Sequence, residues 1–220
     1  GAQIQVRGMG NINTALGQEV KLTGTQYAAA IMRTTFSATQ AQLQSLIQAT
    51  TPGVNQVTML SIEATQSSPL DLSTIGNGRL YLGASGDRTY NAASLAPGLP
   101  NLPNSVIGGD GTTNNVYRFG HQSGNTLTVN LSGTGNLTDV GGTTDVQIGN
   151  MAILGPNGNL GSNGFVYFQD QNTYTGQTVV SHSINLRFNT SMSAGDAAGP
   201  LGVGAGGTAL VDVYGGLRIE

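Results

Sequence analysis

The chain has 220 residues, a formal net charge of −3 and only 9% charged side chains, while glycine alone supplies 34 residues. Its eight basic residues are scattered, so the chain has no cationic stripe to neutralise phosphates, and nucleic acid is excluded as a partner. The apolar content of 38% argues against a disordered chain and favours a continuous buried core.

The chain contains no cysteine, which excludes disulfides and thiolate metal sites and is compatible with export. It begins at Gly1 without a start methionine, a signal peptide or a membrane-spanning apolar run. We therefore expect a mature or excised piece of a longer protein, with no membrane insertion by this segment. Neutral polar side chains must supply solubility, which is unlike a cytoplasmic enzyme and favours an elongated solenoid.

Two short strands are predicted first, at Ala2–Val6 and Glu19–Leu22, because apolar and polar residues alternate there. Ile4 and Val6 are expected on the inner side of the first strand, and Val20 and Leu22 on the inner side of the second.

One helical pattern follows, within a segment at 36–50. Ser37 is the predicted N-cap, Gln40 closes a capping box, and Leu43, Leu46 and Ile47 recur at helical spacing up to Gln48. We interpret this helix either as an insertion on the flank of the solenoid or as a cap over its first strands.

The strand pattern resumes after residue 54 in short runs that recur about every ten residues. The predicted strands are Val57–Ile62, Arg79–Leu82, Val116–Phe119, Thr126–Leu131, Asn136–Val140, Asp145–Ile148, Phe165–Phe168, Thr178–Phe188 and Leu210–Tyr214. Leu95–Pro103 holds three prolines, so it is predicted to be an unpaired surface loop.

Sandwiches, barrels and β-solenoids share this spacing of strands. Two features favour a solenoid: tight Asn-Gly hairpin turns are few, and the inward positions are mostly valine, isoleucine and leucine, which stack well on like neighbours. The predicted fold class is therefore all-β, a parallel β-solenoid formed by residues 1–220 as one domain, with one short α-helical insertion or cap.

The most informative run lies within Gly164–Phe188. Val166 and Phe168 share one side of a predicted strand, and Ile184, Leu186 and Phe188 repeat this alternation opposite Asn185 and Arg187. The nine residues Asn172–Val180, reading NTYTGQTVV, are followed within a few residues by Ile184–Phe188.

This run resembles the repeat of bacterial autotransporter-associated β-strand proteins. The sequence departs from that repeat at Gln177, where the family usually has glycine, and at His182. The resemblance implies a right-handed parallel β-helix on the outer surface of a bacterium. It implies no particular activity.

The carboxylates are the candidate catalytic residues, because β-helix enzymes that cleave polysaccharides need paired acids or calcium. Asp139 and Asp145 are separated by a short Gly-Gly-Thr-Thr segment and are the nearest to such a pair. We interpret them as aspartates that stabilise a turn by accepting hydrogen bonds from backbone N–H groups.

Three further sets of residues were candidates for ligand binding, and only the last of them stays one. Gly108–Gly111 resembles half of a calcium-binding nonapeptide, but it occurs once, and we interpret it as a plain turn. His121 and His182 lack a second ligand at metal-binding spacing, so solvated side chains are expected. Tyrosines expected on outer strand faces are candidates for stacking on sugars: Tyr81, Tyr90, Tyr117, Tyr167 and Tyr174.

The sequence therefore predicts an extracellular structural or adhesive protein that is not an enzyme, with no catalytic, cofactor-binding or metal-binding residues and no cofactor. Two alternatives stay open: a carbohydrate-active β-helix enzyme or carbohydrate-binding domain, and a segment of a phage or appendage fibre. The expected partners are copies of the chain, continuing segments of a longer chain, and surface polysaccharide.

Both ends of the sequence are strand-like and lack a proline, a lysine cluster or a polar capping run. Residues 209–220 also align with residues 2–13, so we expect the ends to stack head to tail into a fibre. The residues predicted to meet are Ile4, Val6, Leu210, Val211 and Val213.

Overall fold

The computed structural model describes residues 3–9, 20, 30–47, 58–100, 113–121, 124–132, 136–149, 164–180, 184–188, 199, 201–202, 211–213 and 216–219. Its strands are β1 (Gln3–Val6), β2 (Ala30–Thr34), β3 (Thr58–Ile62), β4 (Leu70–Asp71), β5 (Tyr81–Ala84), β6 (Arg88–Tyr90), β7 (Leu95–Ala96), β8 (Asn115–Phe119), β9 (Thr126–Val129), β10 (Thr144–Ile148), β11 (Gly164–Phe168), β12 (Thr178–Val180), β13 (Ile184–Phe188), β14 (Val211–Val213) and β15 (Gly216–Ile219). Helix α1 spans Gln40–Leu46, and a short 3-10 helix spans Leu72–Thr74.

The strands form three parallel sheets, so within the described residues the protein is mostly β with little helix. The largest sheet has eight strands in the order β1-β2-β3-β5-β8-β10-β12-β14, and the second has five in the order β15-β13-β11-β9-β6. Strands β4 and β7 form the third sheet. From β8 onward the chain alternates between the two larger sheets, strand by strand. No helix in the described part of the chain is long and apolar enough to cross a membrane.

The register of the eight-stranded sheet aligns one apolar residue from every strand in a single column. The column consists of Ile4, Met32, Leu60, Leu82, Phe119, Ile148, Val180 and Val213. Like side chains stack on each other along such a ladder, as the composition of the inward positions predicts. Its six inner members, from Met32 to Val180, belong to the main core together with Val166, Phe168 and Leu186 of the five-stranded sheet.

The faces of the two larger sheets differ in burial. In β11 and β13 buried residues alternate with partly exposed ones, which confirms the predicted sides of Val166, Phe168, Ile184, Leu186 and Phe188. In β3, β5 and β10 every residue is buried, so the eight-stranded sheet is covered on both faces in its middle. Part of that cover is the segment around Leu99, whose carbonyl accepts a hydrogen bond from the Arg118 guanidinium at 2.8 Å.

Helix α1 exists but begins later than predicted. Its N-cap is Thr39, which forms a capping box with Gln42. The predicted pair is wrong because both residues bond to a distant segment: Ser37 Oγ accepts from Ser67 N–H at 3.0 Å, and the Gln40 side chain bonds to the backbone of Asp71.

Several predicted strands need correction. The loop prediction is wrong at Leu95–Ala96, which pairs with Leu70–Asp71 as β7, because its first proline, Pro97, lies just beyond the paired residues. Asn136–Val140 contains no strand, and Thr178–Phe188 is divided into β12 and β13, which belong to different sheets. The alternation pattern missed β2 and β6, while most of Glu19–Leu22 lies outside the described residues.

Candidate functional site

The residues predicted to mediate stacking lie at the two edges of the eight-stranded sheet. Ile4 and Val6 belong to β1 at one edge, and Val211 and Val213 belong to β14 at the other, with six strands between them. Leu210 lies outside the described residues. A single copy of the chain therefore does not bring the two sets together.

Ile4 departs from the prediction that it is enclosed. Val6 is 3% exposed, but Ile4 is 42% exposed although it shares a column with fully buried residues. Ile4 lies in an edge strand: Met32 lies beside it on one side, and no described strand lies on the other. Ile4 is thus an exposed apolar side chain at the β1 end of the described column.

The run that resembles the family repeat forms a corner that joins successive strands. Asn172 Oδ1 accepts a hydrogen bond from Leu137 N–H at 3.0 Å, and the N–H groups of Thr173 and Tyr174 donate to the Leu137 carbonyl. Tyr174 is fully buried, and its hydroxyl lies 2.6 Å from Thr178 Oγ1. These bonds satisfy backbone groups that a bare turn would leave unpaired.

Gly176 is required in this corner because the chain passes against the preceding strand. A Cβ atom there would lie 2.3 Å from both the carbonyl oxygen of Thr144 and Oδ1 of Asp145. Both contacts are far shorter than van der Waals distance, so a larger residue would push the corner away from β10.

Asp139 and Asp145 are hydrogen-bond acceptors in the same corner, which agrees with their interpretation as turn-stabilising residues. Asp139 Oδ1 accepts from Thr144 N–H at 2.9 Å and Thr175 N–H at 3.0 Å, and its Oδ2 lies 2.6 Å from Thr175 Oγ1. Asp145 Oδ1 accepts from Gln177 N–H at 2.9 Å. The turn between the two aspartates uses Gly141 and Gly142, both with positive φ.

A second polar cluster, centred on Glu63, joins strands near the other end of the eight-stranded sheet. The Glu63 carboxylate forms an ion pair with Arg33 at 2.6 Å and accepts hydrogen bonds from Gln5 and from Ser85 Oγ. Arg88 Nε donates to its carbonyl oxygen. No motif in the sequence predicts this cluster, because its members come from separate parts of the chain.

Four of the five tyrosines proposed to stack on sugars are buried, so that prediction is wrong for them. Tyr81, Tyr90, Tyr117 and Tyr174 are at most 1% exposed. Burial raises the pKa of Tyr117 to about 12 and also raises that of Tyr81. Only Tyr167 keeps a partly exposed position, on the outer side of β11.

His121 is not solvated as predicted. Its side chain is 0% exposed, neither ring nitrogen has a hydrogen-bond partner, and burial lowers its pKa to about 4. The ring is packed so closely on Gly164 that an added Cβ would overlap with it. His182 and Gly108–Gly111 lie outside the described residues, and the described residues contain no cluster of three metal-binding side chains.

Comparisons with known protein families, with curated proteins and with solved structures found no match to the chain.

Proposed function

We propose that this chain is an extracellular structural or adhesive element whose strands wind as a right-handed parallel β-helix. The alternation of strands between the two larger parallel sheets from β8 onward supports this winding, because in that part of the chain each strand of one sheet reaches the next through a strand of the other. Connections between parallel strands of one sheet are almost always right-handed. The corner formed by Asn172–Thr178 supports a role as a scaffold, since its polar groups bond within the protein.

We further propose that copies of the chain, or continuing segments of a longer one, join end to end. The observation that carries this proposal is the column from Ile4 to Val213, which runs through all eight strands in one direction. A second copy added in the same direction would continue the ladder with Val213 beside Ile4 of the next copy. Such a contact is heterologous, so its product is a fibre.

The proposed location is the outer cell surface of a bacterium. The resemblance of Asn172–Val180 and Ile184–Phe188 to the autotransporter-associated repeat supports this location, as does the low charge content of 9%. Incubation with a panel of polysaccharides is expected to release no reducing ends or unsaturated products. Turnover that an Asp139→Asn or Asp145→Asn change abolishes would favour the enzyme instead.

Assembly is tested by electron microscopy and sedimentation velocity over a concentration series. The unchanged protein is expected to form filaments, and Ile4→Lys is expected to prevent them because a charge would enter the continuing core. Gln5→Lys is the matched control, since Gln5 lies on the opposite side of the same strand. Short rods for the unchanged protein at every concentration would contradict the proposal, and a discrete trimer would favour the phage or appendage fibre.

The polarity of the contact is tested by mixing two blocked variants. Ile4→Lys blocks the β1 edge and Val213→Lys blocks the β14 edge, so each variant alone is expected to stay monomeric. A mixture of the two should form dimers and nothing larger. In each dimer the intact β14 edge of Ile4→Lys binds the intact β1 edge of Val213→Lys, and the two edges that remain are both blocked. Dimers formed by either variant alone would contradict a head-to-tail contact.

A further inference from the structure

His121 is a buried ionisable side chain at the place where the chain leaves the eight-stranded sheet. It lies two residues after β8, between that strand and β9 of the five-stranded sheet. Its side chain is 0% exposed, and neither ring nitrogen has a hydrogen-bond partner among the described residues. A polar group buried without a partner costs free energy and is uncommon in folded proteins.

The His121 ring packs on the start of β11. A Cβ atom at Gly164, the first residue of that strand, would overlap the ring. The next residue, Phe165, donates its N–H to the Asn125 carbonyl at 2.9 Å, so the main chain is closed beside the ring. We call these four residues the histidine corner. Because the ring has no exposed surface, it reaches water only when this corner opens.

One carboxylate acts on the buried ring, and it does not offset the effect of burial. Burial lowers the pKa of His121 to about 4, although Asp87 acts in the opposite direction. Asp87 lies just before β6 and accepts a hydrogen bond from the Thr126 N–H at 2.7 Å. The charged residue of β8 itself is Arg118, which donates to the Leu99 carbonyl, and strands β9 and β11 contain no charged residue.

We propose that the histidine corner is an acid-operated joint, which opens when His121 is protonated while the rest of the chain stays folded. A neutral imidazole packs on Gly164, but an imidazolium needs water or a counter-ion that the closed corner does not provide. Opening hydrates the ring and breaks the bond between Phe165 and Asn125. The proposal goes beyond the structural role and does not depend on end-to-end joining, because β8 lies far from both edges of its sheet.

The size of the effect follows from the two pKa values of the ring. The value is about 4 in the closed corner and 6.5 when the ring is free in water. Between these values the open form binds a proton that the closed form does not, so its population rises about tenfold for each pH unit lost. We expect the equilibrium constant for opening to rise about a hundredfold from pH 7 to pH 4.

Opening is measured by amide hydrogen exchange of the full chain, with peptides resolved by mass spectrometry. His121→Leu at the same pH is the reference, so the direct effect of pH on exchange cancels. The exchange rate of peptides that contain Phe165, relative to this reference, should rise about a hundredfold from pH 7 to pH 4, whereas peptides from β3 should show no such rise. An equal rise in β3 would overturn the local joint in favour of global unfolding, and a ratio independent of pH would overturn the role of His121.

Two further variants test the cause. His182→Leu is the matched control, since it removes the other histidine of the chain and should leave the rise unchanged. Asp87→Asn keeps an oxygen that can accept from Thr126 but removes the charge, so the rise should be at least as large. Loss of the rise in either variant would overturn the assignment to burial of His121.

A measurement on the unchanged protein covers the case in which His121→Leu folds poorly. Nuclear magnetic resonance follows the titration of the His121 ring together with the Phe165 amide signal. The ring is expected to titrate below pH 6.5, and the signal of the closed Phe165 amide should be lost in the same range. Titration at pH 6.5 with the Phe165 signal retained would overturn the proposal.

Discussion

The hydroxyl groups of Tyr174 and Thr178 form a buried hydrogen bond in the corner, and its contribution to stability can be measured. Their oxygens lie 2.6 Å apart, both residues are 0% exposed, and neither hydroxyl has another described partner. Burial raises the pKa of Tyr174 above its ordinary value, so the bond joins two neutral groups.

We expect each single change, Tyr174→Phe or Thr178→Val, to lower the free energy of unfolding by about 1–3 kcal/mol. Each keeps the shape of the side chain but leaves the other hydroxyl buried without a partner. The double variant removes both hydroxyls, so it should be more stable than either single variant and within about 1 kcal/mol of the unchanged protein.

The free energies are measured by urea unfolding followed by circular dichroism, with the slopes compared to check that cooperativity is unchanged. Tyr167→Phe is the control, because Tyr167 is partly exposed on the outer side of β11, and we expect an effect within about 0.5 kcal/mol. Additive effects of the two single changes would refute the proposed coupling. A cost for Tyr167→Phe as large as that for Tyr174→Phe would also refute it.

Two further predictions concern the core. Leu186→Asp places a charge at a fully buried position and should cost about 3 kcal/mol or more, whereas Asn185→Asp, on the opposite side of β13, should cost under about 0.5 kcal/mol; equal urea midpoints would contradict the assigned faces. Burial lowers the pKa of His121 from 6.5 to about 4, so between these values the unfolded chain binds a proton that the folded chain does not. The stability of the unchanged protein relative to His121→Leu should therefore fall by up to about 3 kcal/mol as the pH drops from 6.5 to 4, and a difference independent of pH would contradict this.

The sequence predicted the strand content and the facing of side chains well where alternation was strong. β13 is an example, because Ile184, Leu186 and Phe188 are buried and Asn185 and Arg187 are not, as a period of two requires. The prediction failed for Ser37 and Gln40. Their spacing matches a capping box, but their side chains bond to Ser67 and Asp71. Local patterns cannot reveal such distant partners.

The candidate assembly residues were identified from strand-like ends, but the register was not. The sequence alignment places Val211 beside Ile4, whereas the ladder places Val213 in the column of Ile4. Register depends on how every intervening strand pairs, and no pair of end sequences contains that information. The contact of Arg187 with the Phe165 ring was likewise not predicted, because it joins β13 and β11, and strand alternation does not show which strands pair.

By itself, the sequence determined that the chain would form short strands with an apolar side. Only the tertiary structure decided what covers the other side, as two similar strands show. β8 ends in Tyr117-Arg118-Phe119 and β13 in Leu186-Arg187-Phe188, and in both the arginine alternates with apolar neighbours. Arg118 is 1% exposed, and burial lowers its pKa to about 10, whereas Arg187 lies partly exposed over Phe165. The physical reason is that a distant segment at Leu99 contacts Arg118, and alternation within a strand carries no record of what packs on it.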